Sequence, residues 1–201
     1  MTGSRTRGNL RPLPSLGQLQ AGTHAVVSHF FHRTWSRLLG VLACGPDMGE
    51  PWQSDWAVAH AGTLARSFRH WMGRDLLPNA AELATLAGTL FAAPFALVSH
   101  GTEADPVLNY GNRAALALWE MSWDELTRTP SRLTAEPVAR EERSRLLAQV
   151  TQHGHIANYA GVRISKSGRR FRISEATVWN LLDERGAHYG QAAMFDRWEY
   201  L

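Results

Sequence analysis

The stretch PVLNYGNRAALALWEMSWDEL, Pro106 to Leu126, decides how the rest of the chain is read. Its first residues, PVLNYG, form a short run of strand length. Asn112 follows, a residue whose side-chain oxygen caps the orphan backbone N–H groups at a helix start. RAALALWE then places Ala115, Leu116 and Trp119 on one helical face. Ser122 with Glu125 three residues on is a capping box, so a second short helical turn opens at once. A strand that runs through an Asn cap into two short helices marks the joint between a sheet and its helical cover.

Working outward, FALVS (Phe95–Ser99) has strand length and HGTEAD (His100–Asp105) is turn chemistry, so the two runs pair as a hairpin. Two helical patterns precede it. Ser54 or Asp55 caps a helix with Trp56, Leu64, Phe68 and Trp71 or Met72 on its apolar face. Asn79 with Glu82 starts another, carrying Leu83, Leu86 and Leu90 and ended by Pro94. After a polar loop, Pro137 opens a helix to His153 that Gly154 stops. Its stripe of Val138, Leu146, Leu147 and Val150 is narrow, so one side faces solvent. The end of the chain is a three-stranded meander: NYAGVRIS alternates at Val162 and Ile164, RRFRISEATVWNLL at Phe171 and Ile173, and AHYGQAAMFDRW closes it. The fold class is α+β: a five-stranded antiparallel sheet with short helices on one face, preceded by N-terminal helices, with the other sheet face left to solvent.

Length and composition fit this reading. The 201 residues are 44% apolar, enough for one core, and carry a formal charge of +3. Residues 1–50 hold five Arg against two acids and so contain the whole excess. They read as a flexible basic arm with a short helix around Val26, Phe30, Leu38 and Val41. The single Cys44 excludes an intramolecular disulfide and multi-cysteine metal patterns, and suits a reducing, cytoplasmic setting. No apolar run reaches the ~18 residues of a membrane span, and the basic start lacks a secretory apolar block.

The joints carry a resemblance. PVLNYGNRAALALW, SWDEL and VRISKSGRRFRISEATVWNLLDERGAHYGQAAMFDRW resemble the strands, Asn cap and hairpins of a PAS domain. More narrowly, VSHGTEADPVLNYGNRAALALWE and the Gly161–Trp198 block resemble the MEKHLA domain, a PAS-related module found alone in bacterial proteins and at the C-terminus of some plant homeodomain-leucine zipper transcription factors. The resemblance spans about Pro51 to Trp198. It implies residues 51–94 as a helical extension, 95–198 as a PAS-like sensory domain, and a bacterial, cytoplasmic signalling module that binds a small organic ligand or a protein partner without catalysis. PAS domains often pair through preceding helices, which implies a homodimer. The lining candidates for a PAS cavity are Tyr110, Trp119, His155, Tyr159, Trp179 and Met194, with core packing the better reading for Trp119 and with Trp179 and Tyr159 open between core and cavity.

Other constellations weigh less. His100, Glu103 and Asp105 share a turn that could gather a cation or serve a small acid/base enzyme, although turns favour such residues for backbone reasons. His153 and His155 flank Gly154, where an imidazole could ligate haem in the cavity, yet a helix C-terminus favours His electrostatically. Light-sensing flavin chemistry needs a cysteine inside the domain, and Cys44 lies before it; noncovalent flavin has no motif. The spacing of His24, His29 and His32 is poor for a metal. Arg163, Lys166, Arg169, Arg170 and Arg172 crowd one hairpin, a conceivable phosphate ribbon, but alternation assigns them mainly to a solvated outer face. DNA contact through the basic arm is the remaining alternative. No Gly-rich phosphate loop, nucleophile elbow or zinc-helix motif is present.

Overall fold

In the computed structural model of the chain, residues 49–77, 82–136 and 140–201 are described. The basic arm with its short helix and three histidines, Cys44, Asn79, Pro137 and Val138 lie outside the described residues. The first long helix, α1 (Asp55–Met72), starts where Ser54 Oγ accepts the Ala57 N–H at 3.2 Å and stops at left-handed Gly73. It buries Ala57, His60, Ala61, Leu64, Ser67 and Phe68. Trp56 is 42% exposed and leaves the predicted apolar face. The reason is geometric, because an eight-residue step lands about 80° past two full turns at 3.6 residues each. The second helix, α2 (Leu83–Ala92), begins one residue after Glu82, which therefore sits at the cap position and not inside the first turn. Leu86 and Leu90 are buried and Leu83 is half-exposed. Among the described residues, no helix is long and apolar enough to cross a membrane.

The hairpin of β1 (Ala96–His100) and β2 (Leu108–Gly111) forms as expected, with Ser99 opposite Tyr110. Next come α3 (Arg113–Trp119), α4 (Trp123–Leu126) with its full capping box, and α5 (Arg140–His153). Strands β3 (His155–Ile164), β4 (Arg170–Leu182) and β5 (His188–Phe195) make the meander, and the sheet order is β2-β1-β5-β4-β3, all antiparallel. A sixth short strand, β6 (Arg197–Tyr200), continues β5 and pairs with the first half of β4, Ser174 opposite Arg197. Between the halves of β4 lies Glu175, left-handed at φ 55° and ion-paired to Arg197.

Both sheet faces are covered. One receives Ala115, Leu118 and Trp119 of α3 on Phe171, Ile173 and Phe195, and Leu146 and Val150 of α5 on Val178. The other receives α1 and α2, whose Leu64, Phe68 and Leu90 meet Leu97, Tyr110, Trp179 and Leu181. Phe68 stands edge-on to Trp179 at 5.1 Å. The solvated outer face expected from the sequence is confined to the other end of β4, where Arg170 and Arg172 are exposed. Asn112, fully buried, ties the covers together. Its Oδ1 accepts from Leu97 N and Ala115 N at 2.9 and 3.1 Å, and its Nδ2 donates to Leu90 O and Phe95 O at 3.2 and 2.7 Å.

Candidate functional site

A cavity of about 50 Å³ lies between the sheet and the cover made by α3, α5 and the turn Ser131–Thr134. Leu146, Val178, Ile173 and Phe195 give it apolar walls, while His100, Thr134, Tyr159, Arg163 and Gln191 bring polar groups, and among the described residues no Asp or Glu lines it. Pockets that hold drug-sized molecules are ~300–1,000 Å³, so this space suits a small guest.

Arg163 is the notable group. Only 7% exposed, it donates from Nη1 to Val162 O at 2.9 Å and from Nη2 to Tyr159 Oη at 3.2 Å, with the guanidinium 5.3 Å over the Tyr159 ring. Among the described residues no carboxylate forms an ion pair with it. The Trp119 indole N–H, also at the cavity, is buried with no acceptor among the described residues.

A polar relay joins this wall to α1. Gln191 Nε2 donates to Leu147 O of α5, to Thr151 Oγ1 and to Asn180 Oδ1, each at 3.0 Å. Asn180 Nδ2 donates to Val150 O at 3.0 Å, holding the last turn of α5. The backbone carbonyl of the same Asn180 accepts the Trp71 indole N–H of α1 at 2.9 Å. Gly154 makes room for this contact: at φ 88° it ends α5, and a Cβ there would come within 2.2 Å of the Trp71 ring. Elsewhere on α1, buried His60 places Nε2 2.8 Å from Ser99 Oγ, which donates to Asn109 Oδ1 at 2.6 Å. Because the hydroxyl proton is thus used, Nε2 carries the imidazole proton, and buried Nδ1 has no partner among the described residues. Burial pushes the His60 pKa down to about 4.

Of the cavity candidates, Trp119 and Tyr159 line the space, and His100 joins them from the turn. Tyr110, Trp179 and Met194 instead belong to the core under α1, and His155 stands beside Trp71, ring centres 6.2 Å apart. The bulge at Glu175 explains Trp179: odd residues Phe171 and Ile173 face the cavity side before it, even residues Ala176 and Val178 after it. Strand β3 is also irregular, with register shifts on either side of Tyr159. There Arg163, not Val162 or Ile164, takes the inward position, which removes it from the predicted outer basic face.

The polar turn does not assemble. His100 turns inward, with Nδ1 2.8 Å from Gly101 O, Glu103 is exposed, and Asp105 pairs with Arg132 at 2.9 Å. Among the described residues no group of three His, Cys, Asp or Glu is placed to hold a metal. Haem and flavin do not fit the cavity, which is too small for either, and neither exposed His153 nor half-buried His155, which stands beside Trp71, lines it. In the basic hairpin, Lys166 pairs with Glu125 at 2.6 Å, Arg170 with Glu136 at 2.6 Å and Arg169 with Glu120 at 3.9 Å, so acids meet most of the charge. The Lys166 ammonium, with Ser122 backbone and hydroxyl bonds, holds the Glu125 carboxyl down at about 2.

Sequence reading missed His60, Asn180 and Gln191. His60 precedes Leu64 and Phe68 by helical steps of four, and Asn180 and Gln191 interrupt apolar strand runs, so each left a visible signal.

The sequence profile of the MEKHLA domain matches residues 58–200. Homeobox-leucine zipper protein ATHB-14 of Arabidopsis thaliana is 26% identical over 142 residues, which are 69% of this chain and 17% of that protein. ATHB-9 of the same plant is 26% identical over 100 residues, half of this chain and 12% of that protein. The chain thus spans less than a fifth of these relatives. Both are plant proteins, which corrects the expectation of a bacterial module. Among solved structures, a PAS domain from Colwellia psychrerythraea aligns with a TM-score of 0.47 at 15% identity, covering 57% of this chain and 92% of that one. An RNA-binding light-oxygen-voltage receptor aligns with the same score at 18% identity, covering 59% and 34%.

Proposed function

The chain belongs to the MEKHLA domain family, and from that premise we propose that it is a non-catalytic regulatory module that senses a small organic molecule in the cavity under α5. Residues 95–198 form the sensor and 51–94 its output helices, in a cytoplasmic setting. The observation that carries this reading is the Gln191–Asn180–Trp71 relay, since one strand residue is bonded both to the cover of the cavity and to α1. A guest that shifts α5 changes the acceptors of Asn180 and Gln191, and so favours one arrangement of α1 over another. Contact with nucleic acid has no support among the described residues, where carboxylates meet most of the hairpin's basic groups.

Native mass spectrometry of gently purified full chain tests the reading. A small bound mass is expected, and Ala193→Leu, which fills the cavity, is expected to expel it while leaving the protein folded. Trp71→Phe is expected to retain the mass but to abolish the difference in α1 hydrogen exchange between loaded and emptied protein. A bound mass indifferent to Ala193→Leu overturns the site, and an unchanged α1 response in Trp71→Phe overturns the relay. Exposed Trp56 and Tyr189, both ring neighbours of His60, support pairing of two copies through this side. Sedimentation equilibrium is expected to show a dimer that Trp56→Glu dissociates; a monomer at high concentration removes that part.

A further inference from the structure

The proposed sensor leaves its guest undefined, and the cavity wall narrows the chemistry. Arg163 is a buried arginine, and among the described residues protein acceptors take only two of its five N–H donors. A guanidinium removed from water without a counter-charge is costly to maintain, and a bound anion relieves that cost. A second donor faces the same shortage, since the Trp119 indole N–H is buried without an acceptor among the described residues. The two are structurally joined, because the Lys166 N–H, three residues beyond Arg163, donates to Trp119 O at 3.0 Å. The rest of the wall is mainly aliphatic and aromatic, and among the described residues no acid lines it.

Resting on the ligand-binding reading above, we infer that the cavity takes a small organic monocarboxylate, its carboxylate on Arg163 and the Trp119 indole N–H and its hydrocarbon body against Leu146, Ile173 and Phe195. The planar fork of a guanidinium matches a carboxylate in two parallel bonds. One guanidinium balances one negative charge, and the apolar walls disfavour a phosphate dianion that would bury a second.

Propionate and butyrate, each beside its uncharged amide, are the probes, with inorganic phosphate as a further arm. Titrations of the isotope-labelled full chain follow the indole N–H signals by NMR. Both acids are expected to shift the Trp119 signal and to bind at least tenfold tighter than their amides, with phosphate weaker still. Arg163→Met is expected to weaken the acids at least tenfold and leave the amides unchanged, the Trp179 indole signal on the opposite face reporting an intact fold. If that variant does not fold, Arg163→Lys keeps the charge, loses the fork, and is expected to weaken the acids selectively. Amides binding as well as acids, phosphate binding best, or acid affinity untouched by the substitution that folds overturns the anion assignment and leaves the small-molecule reading standing. No probe moving any cavity signal overturns the carboxylate assignment, while the native-mass experiment continues to judge the broader reading by itself.

Discussion

Single residues carry unusual shares of this fold. Asn112 satisfies two backbone N–H and two backbone C=O groups from four separate places in the chain. Asn112→Ala leaves these buried groups without partners, and urea unfolding is expected to show a loss of about 3 kcal/mol or more. His60 makes a different kind of demand. Its folded pKa lies below the ordinary 6.5, so in the interval from 6.5 down to about 4 the unfolded chain binds a proton that the folded chain refuses. The stability held by neutral His60 is complete above 6.5 and declines as the pH falls through that interval. Between pH 7 and pH 5 the native protein is expected to lose about 2 kcal/mol more than His60→Gln, read from urea midpoints at the two pH values. Equal losses in both proteins would place the titration elsewhere. Glu125 acts in a lower window, its carboxylate contribution disappearing as the pH falls from the usual carboxyl range toward about 2.

At the scale of elements, the contact between α1 and the end of α5 rests on an absent side chain. Gly154→Ala sets a methyl group against the Trp71 ring and strains a backbone at φ 88°. The substitution is expected to cost about 3 kcal/mol in the native background and about 1 kcal/mol in Trp71→Ala, where only the backbone term remains. A double-mutant cycle by chemical unfolding measures the difference, and strict additivity would dismiss the clash. Elements are also where sequence was most readable. The caps at Ser54, Asn112 and Ser122, the stop at Gly154 and the hairpins are local chemistry, and local chemistry is written in adjacent residues. Which side of a strand faces the cavity was legible only up to the first irregularity. Glu175 carries no residue-type signal for a left-handed bulge, so the side that Trp179 faces was not legible, and the register shifts around Tyr159 did the same for Arg163 on β3.

The unit from Gly49 to Leu201 is built in three layers: helices, sheet, helices. The helices α1 and α2 are therefore a structural part of this unit and not an attachment to it. A fragment spanning 95–201 would present Leu97, Tyr110, Trp179 and Leu181 to water, and it is expected to aggregate or melt without cooperativity, whereas 49–201 melts in one transition. Calorimetry on the two fragments distinguishes them; a cooperative 95–201 would show that the sheet tolerates an open face. Sequence pattern suggested the helices but not their place, because an amphipathic face states that it must be covered and not by what. The site suffered from the same limit. Its walls come from strands and helices far apart in the chain, and only Trp119 and Tyr159 among the named lining residues reached it.

The relay through Asn180 has an evolutionary corollary. On the proposed reading the signal crosses the sheet at one peptide unit of Asn180, so this route has no series of intermediate positions at which drift could tune its strength. Exchange of Asn180 itself would sacrifice the anchor of α5, the partner of Gln191 and much of the local architecture together. Descendants that keep the pocket but need a quieter or a louder output have one inexpensive place to vary, the indole at position 71. Diversification of such modules should then concentrate on the helix that reads the sheet, while the strand that is read stays fixed.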